Sequence, residues 1–258
     1  MTSGIPTSQE VSSIYPWLSE QPHPQTIHLF CFPFAGGSAR MYRSWPTHLP
    51  PTIQVCPLEL PGRGQRFTHP PFRHLPNLIA TLGPLLLPHL DQPFAFFGHS
   101  LGALISFELA RWLRRQQAPF PQYLFVSGRS APQIPHPVPA LHPLSDPDFI
   151  TGLQTYNGTP ESIINHPELM EVLLPTLRAD FELFETYQYC HEAPLPCPIY
   201  AFAGQTDPLT SSPAVNAWQS QTSKFFEDYW FPGAHFFLQD YEQQIIHTCA
   251  QALSEDRP

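Results

Sequence analysis

Six short apolar runs punctuate the chain, at 27–32, 53–58, 94–97, 123–127, 199–203 and 225–231. They are rich in β-branched and aromatic residues and too apolar to alternate, the pattern of strands buried on both faces of a parallel sheet. Between most of them the apolar positions recur at helical spacing. The clearest case follows Ser100, where Leu101, Leu104, Ile105, Leu109, Trp112 and Leu113 define one face and Arg114 and Arg115 close the last turn, complementing the helix dipole. Strands alternating with helices predict a doubly wound α/β sheet. Residues 145–190 depart from this rhythm with two or three helical patterns and no strand. An all-helical insertion so late in the sheet is expected to act as a lid.

Composition narrows the reading. With 258 residues, 42% of them hydrophobic, the chain is long enough for one well-buried core, and a single domain over 1–258 is expected. A net charge of -9 with only 12 Lys and Arg argues against general nucleic-acid binding, which needs clustered cations on the phosphates. The N-terminus shows no charged-then-apolar leader pattern and no run approaches a membrane span, so a soluble, cytoplasmic chain without a membrane partner is expected. Cys31, Cys56, Cys190, Cys197 and Cys249 are scattered and odd in number, which predicts reduced, buried thiols and neither a disulfide framework nor a metal site. Prolines cluster at the edges of apolar runs, where they are expected to start strands or break helices. The proline-rich stretch 131–148 reads as an extended connection into the helical insertion.

The candidate chemistry begins at Gly98-His99-Ser100-Leu101-Gly102, a G-x-S-x-G pattern between an apolar strand and an amphipathic helix. A sharp turn there exposes a serine hydroxyl at the sheet's C-terminal edge, beside a helix N-terminus that favours developing negative charge. A nucleophilic serine needs a base and an orienting acid, downstream in the order acid then histidine. Asp207 lies just past the fifth apolar run and His235 just past the sixth, in "YWFPGAHFF". Asp180 in the helical insertion, Asp228 in the approach to the last strand, His99 beside the serine and His247 in the terminal helix fit less well. Acyl transfer also needs two oxyanion donors. The backbone N–H of Leu101 follows the nucleophile, and the loop "FPFAGGS" after the first strand offers Ala35, with Phe34 as the alternative.

The chain resembles the type II thioesterases, stand-alone editing enzymes of nonribosomal peptide and polyketide synthases, and is similar also to the medium-chain thioesterases of fatty acid synthase. The resemblance runs from Trp17 to Leu238 through "FPFAGGS", "LELPGRGQR", "FFGHSLGALISFELAR", "FVSGRSAP", "NGTP", "LPTLRADFELFETY", "AFAGQTDP" and "FPGAHFFL". It implies an α/β-hydrolase fold with a lid over about 146–189, and a triad of Ser100, Asp207 and His235 with oxyanion donors at Ala35 and Leu101. It implies no metal or bound cofactor. The substrate it implies is an acyl group on the phosphopantetheine arm of a carrier protein, with a monomer expected. Leu101, Gln65 and Ala234 stand where many members carry methionine, glutamate and glycine. Leu169, Val172, Leu173, Leu177, Phe181 and Phe184 recur at helical spacing as an inward lid face, and Phe34, Leu173, Leu177 and Phe181 are the substrate-contact candidates. Arg40, Arg43, Arg63, Arg66 and Arg73 are the cations nearest the oxyanion loop in sequence and the candidates for docking an acidic carrier. A general esterase acting on free small esters or acyl-CoA would share these catalytic residues. A non-catalytic ligand-binding hydrolase fold would have no need of them.

Overall fold

A computed structural model of the protein describes residues 26–156 and 166–254. Trp17, the "NGTP" stretch at 157–160 and the part of the expected lid at 157–165 lie outside the described residues. The apolar runs form the strands β1 (Ile27–Phe32), β2 (Ile53–Pro57), β3 (Phe94–His99), β4 (Leu124–Ser127), β5 (Ile199–Gly204) and β6 (Phe226–Phe231). The helices are α1 (Leu75–Leu86), α2 (Leu101–Arg115), α3 (Asp146–Tyr156), α4 (Pro167–Glu185), α5 (Ser212–Asn216), α6 (Phe237–Asp240) and α7 (Glu242–Ser254).

All neighbouring strands pair in parallel, in the order β2-β1-β3-β4-β5-β6. The inner strands are mostly apolar because both sheet faces are covered, with His28, His99 and Ser127 as buried polar positions. Phe30, Phe32, Phe94 and Phe96 pack with residues of α1 and α2, while Leu29, Cys31, Phe97, Phe125 and Phe202 pack with Tyr42, Trp45 and the α7 residues Ile245, Ile246 and Cys249. β6 departs from the expectation. As an edge strand it leaves 226–230 only half-buried.

The strand order reverses between β1 and β3, which opens a crevice at their C-terminal ends. The register sets Phe32 opposite Gly98, so the chain leaves β1 beside the turn that carries Ser100.

Prolines do not always break helices here. α1 runs through Pro84 and α4 through Pro175, both exposed, where water can satisfy the carbonyl freed by the missing N–H. Cys31, Cys56, Cys197 and Cys249 are buried free thiols, but Cys190 is exposed. Leu169 and Val172 do not join an inward face: they are 48% and 50% exposed, while Met170 between them is buried in the core with Leu177, Phe181 and Phe184, so the two lie on another side of α4. Among the described residues no helix is long and apolar enough to cross a membrane.

Candidate active site

Ser100 sits between β3 and α2 with φ 54° and ψ −110°, a left-handed conformation that costs a non-glycine residue about 1–3 kcal/mol. The surroundings hold it there. Its N–H donates to the Ser127 carbonyl at the end of β4 (2.7 Å), and the flanking glycines let the chain close on itself. A Cβ on Gly98 would lie 2.2 Å from the Gly102 carbonyl, and one on Gly102 would lie 2.1 Å from the Phe32 carbonyl oxygen. The motif's glycines are therefore needed for close packing of α2 against the ends of β1 and β3.

Asp207 follows β5 and His235 follows β6, and these two loops are laced together. The Gln205 N–H donates to the Phe231 carbonyl and the Thr206 N–H to the Gly233 carbonyl, while a Cβ on Gly204 would meet the Ala234 carbonyl oxygen at 2.5 Å. One Asp207 oxygen accepts the Leu209 N–H (2.9 Å), which fixes the carboxylate, and the other accepts His235 Nδ1–H (2.8 Å). That bond leaves Nε2 as the acceptor, 3.0 Å from Ser100 Oγ. Asp207 and His235 are 5% and 3% exposed, so the relay is shielded from water up to the serine hydroxyl.

His99 points away from Ser100. Its Nδ1 meets Ser127 Oγ at 2.9 Å, its ring lies 5.3 Å from that of His235, and burial pushes its pKa well down, which favours the neutral ring beside His235. Asp228 accepts the Trp230 indole N–H (2.5 Å) on the edge strand, and His247 lies in α7. Asp180 is engaged elsewhere. Its carboxylate forms a two-pronged ion pair with Arg63 (2.6 and 2.7 Å) and accepts the Gly36 N–H (2.7 Å).

The loop after β1 is a tight turn in which the Gly37 N–H donates to the Phe34 carbonyl (2.8 Å) and Gly36 takes φ +77°. Gly36 and Ala39 N–H are taken up by Asp180 and Glu59, whereas the Ala35 N–H has no acceptor among the described residues. The Leu101 N–H, first in α2, belongs to the group that finds no partner within a helix.

Ser100 and His235 open into a cavity of about 340 Å³. Its walls are the segment 128–137 after β4, Leu209, and Phe184, Glu185, Tyr187 and Tyr189 at and after the end of α4. Phe34, Leu173, Leu177 and Phe181 are not among them. Leu177 covers Gly36, Phe181 packs edge-on against Phe149, Leu173 is half-buried against the core, and Phe34 packs edge-on against Phe236 (4.9 Å). The 128–137 wall escaped sequence reasoning, because an irregular proline-rich segment has no periodicity to mark which side faces a cavity. Tyr187 also borders a second cleft of about 580 Å³ beside α1 and α2, where its hydroxyl donates to Glu108 (2.7 Å).

A family model, the thioesterase domain, matches residues 27–253. The chain belongs to the thioesterase family. The thioesterase is 47% identical to linear gramicidin dehydrogenase LgrE of Brevibacillus parabrevis over 230 residues, covering 88% of each chain. It is 42% identical to gramicidin S biosynthesis protein GrsT of Aneurinibacillus migulanus over 227 residues, 88% of this chain and 89% of that one. Among solved structures it is similar to the RedJ thioesterase from the prodiginine biosynthetic pathway in Streptomyces coelicolor, with a TM-score of 0.85 and 34% identity over 90% of this chain and 92% of that one. The thioesterase thus has the α/β sheet expected from its strand pattern and the α/β-hydrolase fold that the family resemblance implied, and the family makes it a hydrolase.

The five arginines of the expected docking group do not act alike. Arg63 is buried and locked to Asp180, which removes it from any docking surface. Arg73 pairs with Glu182 (2.7 Å), and Arg66 is half-buried near Glu59. Arg40 and Arg43 are exposed and border a groove of about 520 Å³ whose wall includes Phe34.

Proposed function

We propose that this thioesterase hydrolyses acyl thioesters on the phosphopantetheine arm of a carrier protein through an acyl-Ser100 intermediate. The observation that carries the reading is the unbroken relay from Asp207 through His235 to Ser100 Oγ at the floor of a walled cavity. Ser100 Oγ attacks the thioester carbonyl while its proton passes to His235 Nε2, and Asp207 stabilises the imidazolium. The carbonyl oxygen becomes an oxyanion held by the Ala35 and Leu101 N–H groups. Collapse breaks the C–S bond, and the thiolate leaves with the proton from His235. A water then gives its proton to His235, attacks the acyl-serine and releases the carboxylic acid, returning the proton to Ser100. The helices α3 and α4 act as the lid. The whole chain works as one domain and, on the family resemblance, as a monomer without a bound cofactor.

The carrier-bound substrate is supported by relatives named for gramicidin S biosynthesis and for a prodiginine pathway. One relative is named a dehydrogenase, but the loop after β1 does not favour a dinucleotide here: Leu177 covers Gly36, and the Asp180 carboxylate holds the N–H that a pyrophosphate would need.

The test compares acetyl-carrier with acetyl-pantetheine. Carrier contacts made equally in ground and transition states should lower KM with kcat little changed. Ser100→Ala should abolish turnover of both substrates, together with labelling by a fluorophosphonate. Equal KM values would favour an esterase of free small esters, and labelling that survives the substitution would move the nucleophile elsewhere.

A further inference from the structure

We propose that Asp180, on α4, is a positioning residue that sets the oxyanion loop, so that the loop is catalytically competent only while α4 is seated. This rests on the reading of Ala35 N–H as an oxyanion donor. Asp180 is 1% exposed and touches no reacting atom. It reaches the peptide groups that follow the donor, directly at Gly36 and through Arg63 at Gly37.

The Phe34–Ala35 peptide is planar, so the direction of its N–H is fixed by the direction of its carbonyl. That carbonyl accepts the Gly37 N–H at 2.8 Å. The next peptide is held through the Gly36 N–H, which donates to Asp180 Oδ2 at 2.7 Å. The Gly37 carbonyl accepts from Arg63 Nη1 (3.2 Å), and Arg63 itself is held by both Asp180 oxygens. Arg63 is anchored at its other edge by the Pro61 carbonyl. The turn at Gly36 needs this grip. Glycine at φ +77° has many alternatives open to it, and the 34–37 hydrogen bond closes the turn without bonding the 35–36 peptide itself. Leu177, one turn before Asp180 on α4, closes the remaining space: its Cδ2 lies 2.4 Å from where a Gly36 Cβ would be. Charge, fork geometry and packing thus converge on one loop from a helix far away in sequence.

The experiment measures kcat and KM for acetyl-pantetheine and p-nitrophenyl acetate, and the affinity of an alkyl boronic acid that mimics the tetrahedral intermediate on Ser100. Asp180→Asn keeps the shape but weakens the charged acceptor. It should lower kcat by about 10–100-fold on both substrates, less than outright removal of an oxyanion donor, with KM within about twofold. Boronate affinity should fall by a similar factor. The pH profile of kcat/KM should keep its position, because the His235–Asp207 pair is untouched. Arg63→Lys keeps the charge but loses the fork, and should shift kcat in the same direction by less. Thr222→Val removes a buried hydroxyl that donates to the Cys197 carbonyl (2.6 Å), away from α4 and the loop after β1, and serves as a control that lowers stability without lowering kcat.

Unchanged kcat in a folded Asp180→Asn or Arg63→Lys enzyme would overturn the assignment, as would an equal loss of kcat in Thr222→Val. A wild type that hydrolyses neither substrate would instead overturn the acyl-transfer reading on which the assignment stands.

Discussion

Each oxygen of the Asp207 carboxylate has its own task, one on the Leu209 N–H and one on His235 Nδ1. An amide in its place would keep the turn but offer the imidazole the wrong partner. Asp207→Asn is expected to cost up to about 10⁴ in kcat on acetyl-pantetheine, as in other serine triads, with the fold intact. Asp228→Asn, altering a carboxylate bound to the Trp230 indole, should leave kcat within about twofold. Buried His99 makes a different prediction. Burial holds its pKa well below the usual value, so below about pH 6.5 the unfolded chain takes up a proton that the folded chain refuses. Its contribution is complete above that pH and is lost as the pH falls, by up to about 1.4 kcal/mol per unit. Urea midpoints at about pH 7.5 and about pH 5.5 should show the lower stability in acid, and the gap should narrow in His99→Gln.

At the level of elements, the junction of β1, β3 and α2 tolerates almost no added volume. Gly102→Ala puts a methyl 2.1 Å from the Phe32 carbonyl oxygen, and backbone cannot yield as a flexible side chain can. We expect at least about 1–3 kcal/mol of destabilisation, read as a lower urea midpoint, together with lost activity from displacement of the turn. This junction was legible in the sequence because its spacing encodes the geometry: small residues two before and two after Ser100, an apolar strand in front and a helix behind. The strands were legible for a related reason, since double-sided burial writes itself as uninterrupted apolar runs. The early turns of α4 were not. Apolar residues crowd these turns on more than one side, so periodicity alone does not choose the buried face: Met170 takes it, and Leu169 and Val172 are left exposed. Arg63 and Asp180 were both visible as single residues, yet nothing local joins positions 117 apart in the chain.

Across the whole molecule, the acidic balance makes the exposed Arg40 and Arg43 significant. Arg40 and Arg43 flank a groove walled partly by Phe34, whose ring packs against Phe236, the neighbour of His235. A carrier docked there would lie close to the oxyanion loop. The double change Arg40→Glu and Arg43→Glu should raise KM for acetyl-carrier several-fold and weaken its salt dependence, with acetyl-pantetheine unaffected. The same kinetics would separate Arg63 from this pair, since loosening the oxyanion loop affects both substrates. Sequence proximity grouped all five arginines; burial and pairing divide them.

The distribution of thiols gives the molecule a ready attachment point for a spectroscopic probe. Cys31, Cys56 and Cys249 are buried with their thiols held strongly in the protonated form by desolvation, and Cys197 is pushed up to about 12 in the same way. Since the thiolate is the reactive species, these four should be nearly silent toward maleimides in the native state. Cys190 is exposed and borders the cleft that shares Tyr187 with the active-site cavity. A fluorophore on that sulfur would stand behind the cavity wall, outside the Ser100 chamber. Wild-type protein, without engineered cysteines, can therefore carry a single optical reporter of movement in the segment that follows α4.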